Sequence, residues 1–133
     1  MTMRNPAAKQ VFTGNVGRGG LPAWTYDNDE ITELEKEFVF RRNWLLVGHV
    51  NAIPNPGDYM TLDVADERAM VVRGGDGEVR TFHNLCRHRG SRVAPERQGN
   101  CGKVITCPFH GWCYNLDGGL RAVQKPETFP DLD

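Results

Sequence analysis

The chain has 133 residues, a net charge of −1 at pH 7, 25% charged residues and 39% hydrophobic residues. That balance leaves no basic field to attract nucleic acid or an anionic membrane surface, and the length suits one domain with an ordinary buried core. No apolar run approaches a membrane span and the first residues lack the apolar core of a signal peptide, which points to a cytoplasmic protein. Residues 1–20, rich in glycine and small polar residues and basic at Arg4, Lys9 and Arg18, show no hydrophobic period and read as a flexible arm.

From Asn28 to Arg42 the apolar residues Ile31, Leu34, Phe38 and Val39 recur at helical spacing. Asn28 or Asp29 is placed to cap this helix, Glu30 and Glu33 lie in its first turn, and Arg41 and Arg42 lie in its last, all in the sense the helix dipole favours. Glu37 and Arg41 form an i,i+4 pair. Short strands follow. Trp44 to Val50 (WLLVGHV) reads as a buried strand, and Tyr59 to Val64 alternates with period two. Met70 to Arg73 joins Val79 to Asn84 through GGDG, a hairpin signal. Val104 to Cys107, Gly111 to Asn115 and Leu120 to Val123 continue the series, with DGG between the last two. The expected fold class is mostly β: a small antiparallel domain preceded by one α-helix.

The chemistry is concentrated between Asn84 and Gly118. Cys86 and His88 form a CxH pair, Cys107 and His110 form a CxxH pair, and each sits at a strand end running into a glycine turn. Any one of these residues alone reads as a buried thiol or a packed histidine; the four together read as metal ligands. Two sulfurs and two nitrogens suit either tetrahedral zinc or a [2Fe-2S] cluster with unequally ligated irons. A zinc finger usually pairs like with like, so one Cys and one His per loop suits the cluster better. If the cysteines hold one iron and the histidines the other, two thiolates cancel the oxidised core charge of about +2, and reduction is easier than at an all-cysteine site.

CRHRGSRV together with CPFHGWCYNLDG resembles the Rieske domain of Rieske non-haem iron oxygenases, the ring-hydroxylating oxygenase large subunits. The resemblance extends upstream through ELEKEFVFRRNWLLVGHV, PNPGDYMTL and GGDGEVRTFHNLC, covering Leu21 to Val123. It implies a Rieske-type β domain with two cluster-binding loops, a [2Fe-2S] cofactor held by Cys86, His88, Cys107 and His110, and one-electron transfer as the function. Quinol-oxidising relatives carry two further cysteines that pin the loops by a disulfide, and a serine after the second HG. Here Phe109 and Trp112 stand instead, which implies a lower potential and an oxygenase rather than a quinol oxidase.

In that family a mononuclear iron held by two histidines and a carboxylate receives the electron. Only His49 and His83 remain after the cluster takes its two, so no mononuclear Fe(II) is expected within this chain. The family's further strands and catalytic domain follow the region matching PETFPDLD, so residues 21–133 are expected to be the N-terminal Rieske part of a longer subunit. The implied electron donor is a ferredoxin or flavin reductase. The implied acceptor is a catalytic domain or the neighbouring oxygenase subunit of a trimer. A stand-alone Rieske ferredoxin and a structural zinc module are the alternatives.

Around the ligands, Trp112 is a candidate shield for the cluster and Tyr114 a candidate hydrogen-bonding tuner, against the plainer reading of both as aromatic core. Pro108, Gly90 and Gly111 shape the loops. Arg87 and Arg89 are candidates for tuning or docking, against ordinary solvated arginines. Cys101 and Cys113 read as free thiols. Nothing between Met1 and Asp133 bears on a substrate.

Overall fold

The alternating segment from Asp58 to His83 folds as two consecutive hairpins: β1 (Asp58–Val64), β2 (Glu67–Arg73) and β3 (Val79–His83). The computed structural model describes residues 20–130 and 132, so all but Gly20 of the expected arm lies outside the described residues. A strand that periodicity does not show, β4 (Gln98–Asn100), pairs antiparallel with the start of β1 and gives the order β3-β2-β1-β4. Its sequence, Gln-Gly-Asn, has no strand-forming character. It is recruited because Tyr59 and its neighbours present an unpaired ladder edge. A second sheet, β5-β6-β7, comprises Val104–Thr106, Cys113–Asn115 and Leu120–Ala122.

The core lies between the sheets. Tyr59, Met70 and Val72 from the first pack with Ile105 and Tyr114 from the second and with Trp112 and Leu116, which flank its middle strand. Cys86 and Cys107 belong to the same cluster, each 2% exposed. The sulfurs of these two candidate ligands are therefore part of the core, not surface additions.

Two expectations change. The segment 28–42 is not one regular helix: α1 (Asp29–Glu35), capped by Asn28 Oδ1 accepting from Ile31 N at 3.0 Å, widens into a π-helical turn over Lys36–Phe40. The Arg41 amide there reaches the Lys36 carbonyl at 3.0 Å. None of its residues is buried. Glu37 meets Arg41 at 3.6 Å as anticipated, but Arg42 more closely at 2.5 Å. Trp44 to Val50, expected as a buried strand, is not a strand; Trp44 and Leu46 are fully exposed. Its composition fits a ladder, but among the described residues no neighbouring strand offers one, and an extended segment is a strand only when its backbone groups pair.

The β1–β2 connection is a two-residue turn with both residues left-handed, Ala65 at φ 48° and Asp66 at φ 69°. That backbone matches the twist of a hairpin but is costly without Asn or Gly. The helical segment braces it: Lys36 Nζ binds Asp66 at 2.7 Å, and Arg41 donates to the Ala65 carbonyl at 3.2 Å. Replacing Ala65 with Asn, which tolerates left-handed backbone, is expected to stabilise the fold by about 0.5–1 kcal/mol in urea denaturation. A lower midpoint in that variant would show that the brace, not the residue, sets the turn.

Candidate metal centre

Two loops meet at one end of the core, and their backbones share one frame. In the first, the Cys86 amide donates to the Ser91 carbonyl at 2.7 Å and the Gly90 amide returns to the Cys86 carbonyl at 2.8 Å. In the second, the Cys107 amide donates to the Trp112 carbonyl at 2.8 Å and the Gly111 amide returns to the Cys107 carbonyl at 3.0 Å. Both glycines take φ 68°, a left-handed conformation that a Cβ would strain. At Gly111 a Cβ would also meet Gln124 Nε2 at 2.5 Å. Cysteine and glycine thus stand four apart in both loops, although histidine follows cysteine by two in one and three in the other.

The frame buries the thiols and turns the imidazoles outward. Cys86 and Cys107 lie in the core, while His88 and His110 are half-buried with ring centroids 4.8 Å apart. Trp112, 5% exposed, stacks on His88 at 5.0 Å with the rings 4° from parallel. Phe129 sets its edge against both His88 and Trp112, at 5.7 and 5.2 Å. Phe109 covers His110 at 3.9 Å and is itself 62% exposed. The histidine pair is walled by aromatic rings on the protein side and open on the other.

Tyr114 links the loops. Its hydroxyl accepts from the Arg87 amide at 3.1 Å and lies 3.1 Å from Cys86 Sγ. Since the amide occupies the oxygen as acceptor, the hydroxyl proton is free to point at the sulfur. Burial, and then the contact with Cys86, push the Tyr114 hydroxyl up to about 12, so it keeps that proton. The Cys107 thiol is raised by burial but brought below its ordinary value by the Phe109 and His110 amides and by the side chains of Cys86 and Ser91. His88 is held below its ordinary value by desolvation, then by His110 and Arg89.

The four expected ligands are therefore together, with Trp112 and Tyr114 beside them. Arg87 and Arg89 are exposed on the first loop, and neither side chain makes an ion pair among the described residues. His49 and His83 are exposed elsewhere; His83 faces Glu67 at 3.6 Å. Cys101 and Cys113 are free, donating to the carbonyls of Gly57 and Gly111 at 3.3 Å each. Among the described residues, no three His, Cys, Asp or Glu side chains are grouped to hold a single metal ion.

Sequence reasoning missed Asn84 and Phe129. Asn84 is fully buried beneath the first loop; an amide amid strand residues gives no periodic signal, though its place two before Cys86 is a clue. Phe129 arrives from a segment without regular strand character, so only the fold places it on His88.

The sequence pattern of the Rieske [2Fe-2S] domain family matches residues 43–132. The chain is 43% identical over 115 residues to biphenyl 2,3-dioxygenase subunit alpha of Rhodococcus jostii (strain RHA1), a match covering 86% of this chain and 25% of that one. Benzene 1,2-dioxygenase subunit alpha of Pseudomonas putida is 42% identical over 92% of this chain and 27% of its own. Among solved structures, the apo form of a quaternary ammonium Rieske monooxygenase superposes with a TM-score of 0.77 at 34% identity, covering 86% of this chain and 33% of that one. The chain thus spans about a quarter of the length of these curated relatives.

In the metal-free chain, iodoacetamide is expected to modify Cys101 and Cys113 before Cys86 and Cys107, because access to the last two is closed by the core. Peptide mass mapping reads the order. Early modification of Cys86 or Cys107 would mean that the ligand loops are open without metal.

Proposed function

The chain belongs to the Rieske [2Fe-2S] domain family, and on that premise we propose that it is the electron-transferring N-terminal part of an oxygenase subunit, its cluster held by Cys86, His88, Cys107 and His110. The observation that carries this reading is the pairing of donors by type. Two buried thiols sit in the core and two imidazoles sit side by side outside it, on loops of identical backbone frame. A zinc ion needs four donors around one point, whereas a [2Fe-2S] core spreads a thiolate pair and an imidazole pair over two irons. The donor set fits the cluster. When bound, it supplies reversible one-electron storage at a potential above that of all-cysteine ferredoxins.

The protein's own groups govern how that electron is held. Cys86 and Cys107 supply two negative charges in the core, where the Tyr114 hydroxyl and the Phe109 and His110 amides are directed at them. Donors to sulfur stabilise the added negative charge of the reduced state. Trp112 and Phe129 exclude water from one side of His88 and hold its ring plane. The outward side of His88 and His110 is the short route for an electron.

The proposed electron donor is a ferredoxin or flavin reductase, and the proposed acceptor is a catalytic domain or a neighbouring oxygenase subunit of a trimer, where a mononuclear iron would take the electron. A stand-alone ferredoxin is disfavoured, since a 92% match to a dioxygenase alpha subunit necessarily includes the leading helical segment. Arg87 and Arg89, which flank His88 and form no ion pair among the described residues, are the proposed contacts for carboxylates of such a partner. The free thiols of Cys101 and Cys113 suit a reducing compartment, and the cytoplasm is the proposed one. Among the described residues no helix is long and apolar enough to cross a membrane.

The purified chain is expected to hold two irons and two acid-labile sulfides and to show a rhombic EPR signal after dithionite reduction. Cys107→Ser or His110→Ala should abolish it; a colourless protein with one zinc would overturn the reading. Tyr114→Phe is expected to keep the cluster but lower its midpoint potential by on the order of 40 mV, about 1 kcal/mol for one electron. An unchanged potential in voltammetry would remove Tyr114 from the tuning set.

A further inference from the structure

The two ligand loops share a frame but not a foundation. The second stands at the tip of a hairpin: β5 and β6 pair at Thr106 and Cys113, immediately outside Cys107 and Trp112. The first has β3 on its incoming side, but Ser91 to Arg97 on its outgoing side form no strand. Its two limbs have no ladder to hold them together.

We infer that Asn84 is the positioning residue of the first ligand loop, its side-chain amide replacing the ladder that the second loop has. Asn84 Oδ1 accepts from the Val93 and Ala94 amides at 3.1 and 2.9 Å, and Nδ2 donates to the Ala94 carbonyl at 2.7 Å. Its own amide donates to the Arg68 carbonyl at 2.7 Å, anchoring the clamp to β2. The residue is 0% exposed, and Ala94 is 3% exposed. The carboxamide therefore reproduces the donor–acceptor pattern of a peptide group facing a strand, in a place where water cannot substitute for it. Asparagine suits this role because it offers both a donor and an acceptor on a short stem.

The clamp closes the limbs around Cys86, His88 and Ser91, and so sets how the first Cys-His pair faces the second. Cys86 Sγ is held within reach of Tyr114, and His88 is held flat on Trp112, only while the loop base stays closed. Removing the clamp orphans the buried amide and carbonyl of Ala94 and the part-buried amide of Val93 on one loop and leaves the other loop's ladder intact. The asymmetry is the signature: the first loop loosens selectively. This inference rests on the cluster reading for its functional meaning, but its structural content is readable without metal.

The experiment compares Asn84→Ala, Asn84→Asp and the core variant Val72→Ala with the unsubstituted 133-residue chain. Two readouts are taken: iodoacetamide modification rates of Cys86 and Cys107 in the metal-free chains, and iron-sulfide content with the EPR line shape of the reduced, reconstituted chains. Asn84→Ala should raise the Cys86 rate about tenfold relative to Cys107, and should broaden or shift the EPR signal at matched cluster content. Asn84→Asp, which keeps the acceptor for both amides, should show a smaller change in the same ratio. Val72→Ala should move both cysteines together and leave the line shape unaltered. Equal acceleration of both cysteines in Asn84→Ala, or an unchanged ratio, overturns the inference. If Asn84→Ala does not fold, the ratio in Asn84→Asp decides by the same criterion. An unsubstituted chain that takes up no cluster would defeat the cluster reading alone, because the labelling ratio still tests the clamp.

Discussion

Each ligand loop is a turn in which a glycine amide returns to a cysteine carbonyl four residues earlier, and the rest of the site depends on that closure. A turn this tight, ending on a left-handed residue, points the side chain at its start and the side chains within it in different directions. The cysteine is sent into the core and the histidine toward solvent. Because the closure fixes cysteine to glycine rather than cysteine to histidine, the loops tolerate different Cys-His spacings. Four residues span the turn in both; the histidine occupies whichever position within it faces the other loop.

Placing the sulfurs in the core has a thermodynamic consequence. Cys86, Cys107, Trp112 and Tyr114 are part of the cluster that joins the two sheets, so whatever binds the thiolates also ties the sheets together. Two thiolates in an apolar interior are costly unless neutralised and hydrogen-bonded. Tyr114 and the backbone amides of the second loop supply donors, and a positively charged inorganic core would supply the neutralisation. The imidazoles meet the opposite requirement. Remaining half-buried, they keep an edge toward solvent or a partner while aromatic rings restrict their motion from behind.

The apolar surface has a second concentration away from the site. Leu34, Phe38 and Val39 of the helical segment, with Trp44 and Leu46 after it, are exposed, although their patterns have the spacing of residues meant for burial. Here the local pattern predicts burial that the described structure does not supply. The helical segment is held by charged groups instead, through Lys36, Glu37 and Arg41.

Much of this was legible beforehand. The strand at Asp58–Val64 was legible from its alternation, and those at Glu67–Arg73 and Val79–His83 from the GGDG hairpin signal between them, since Met70, Val71 and Val72 are buried in succession. The candidate ligand set was legible in residue type and spacing, which suit zinc or a [2Fe-2S] cluster, and the Rieske resemblance favoured the cluster. What the sequence left undetermined has one cause: contacts between segments carry no local pattern. Gln98–Asn100 became a strand because β1 had a free edge, and Trp44 to Val50 did not because it pairs with no strand among the described residues. Asn84 clamps a loop that closes ten residues later, and Phe129 covers a histidine forty-one positions before it. By itself the sequence singled out which side chains to propose as metal ligands; only the tertiary structure decided what holds them, since a hydrogen bond or ring contact between distant residues is fixed by the path of the chain between them.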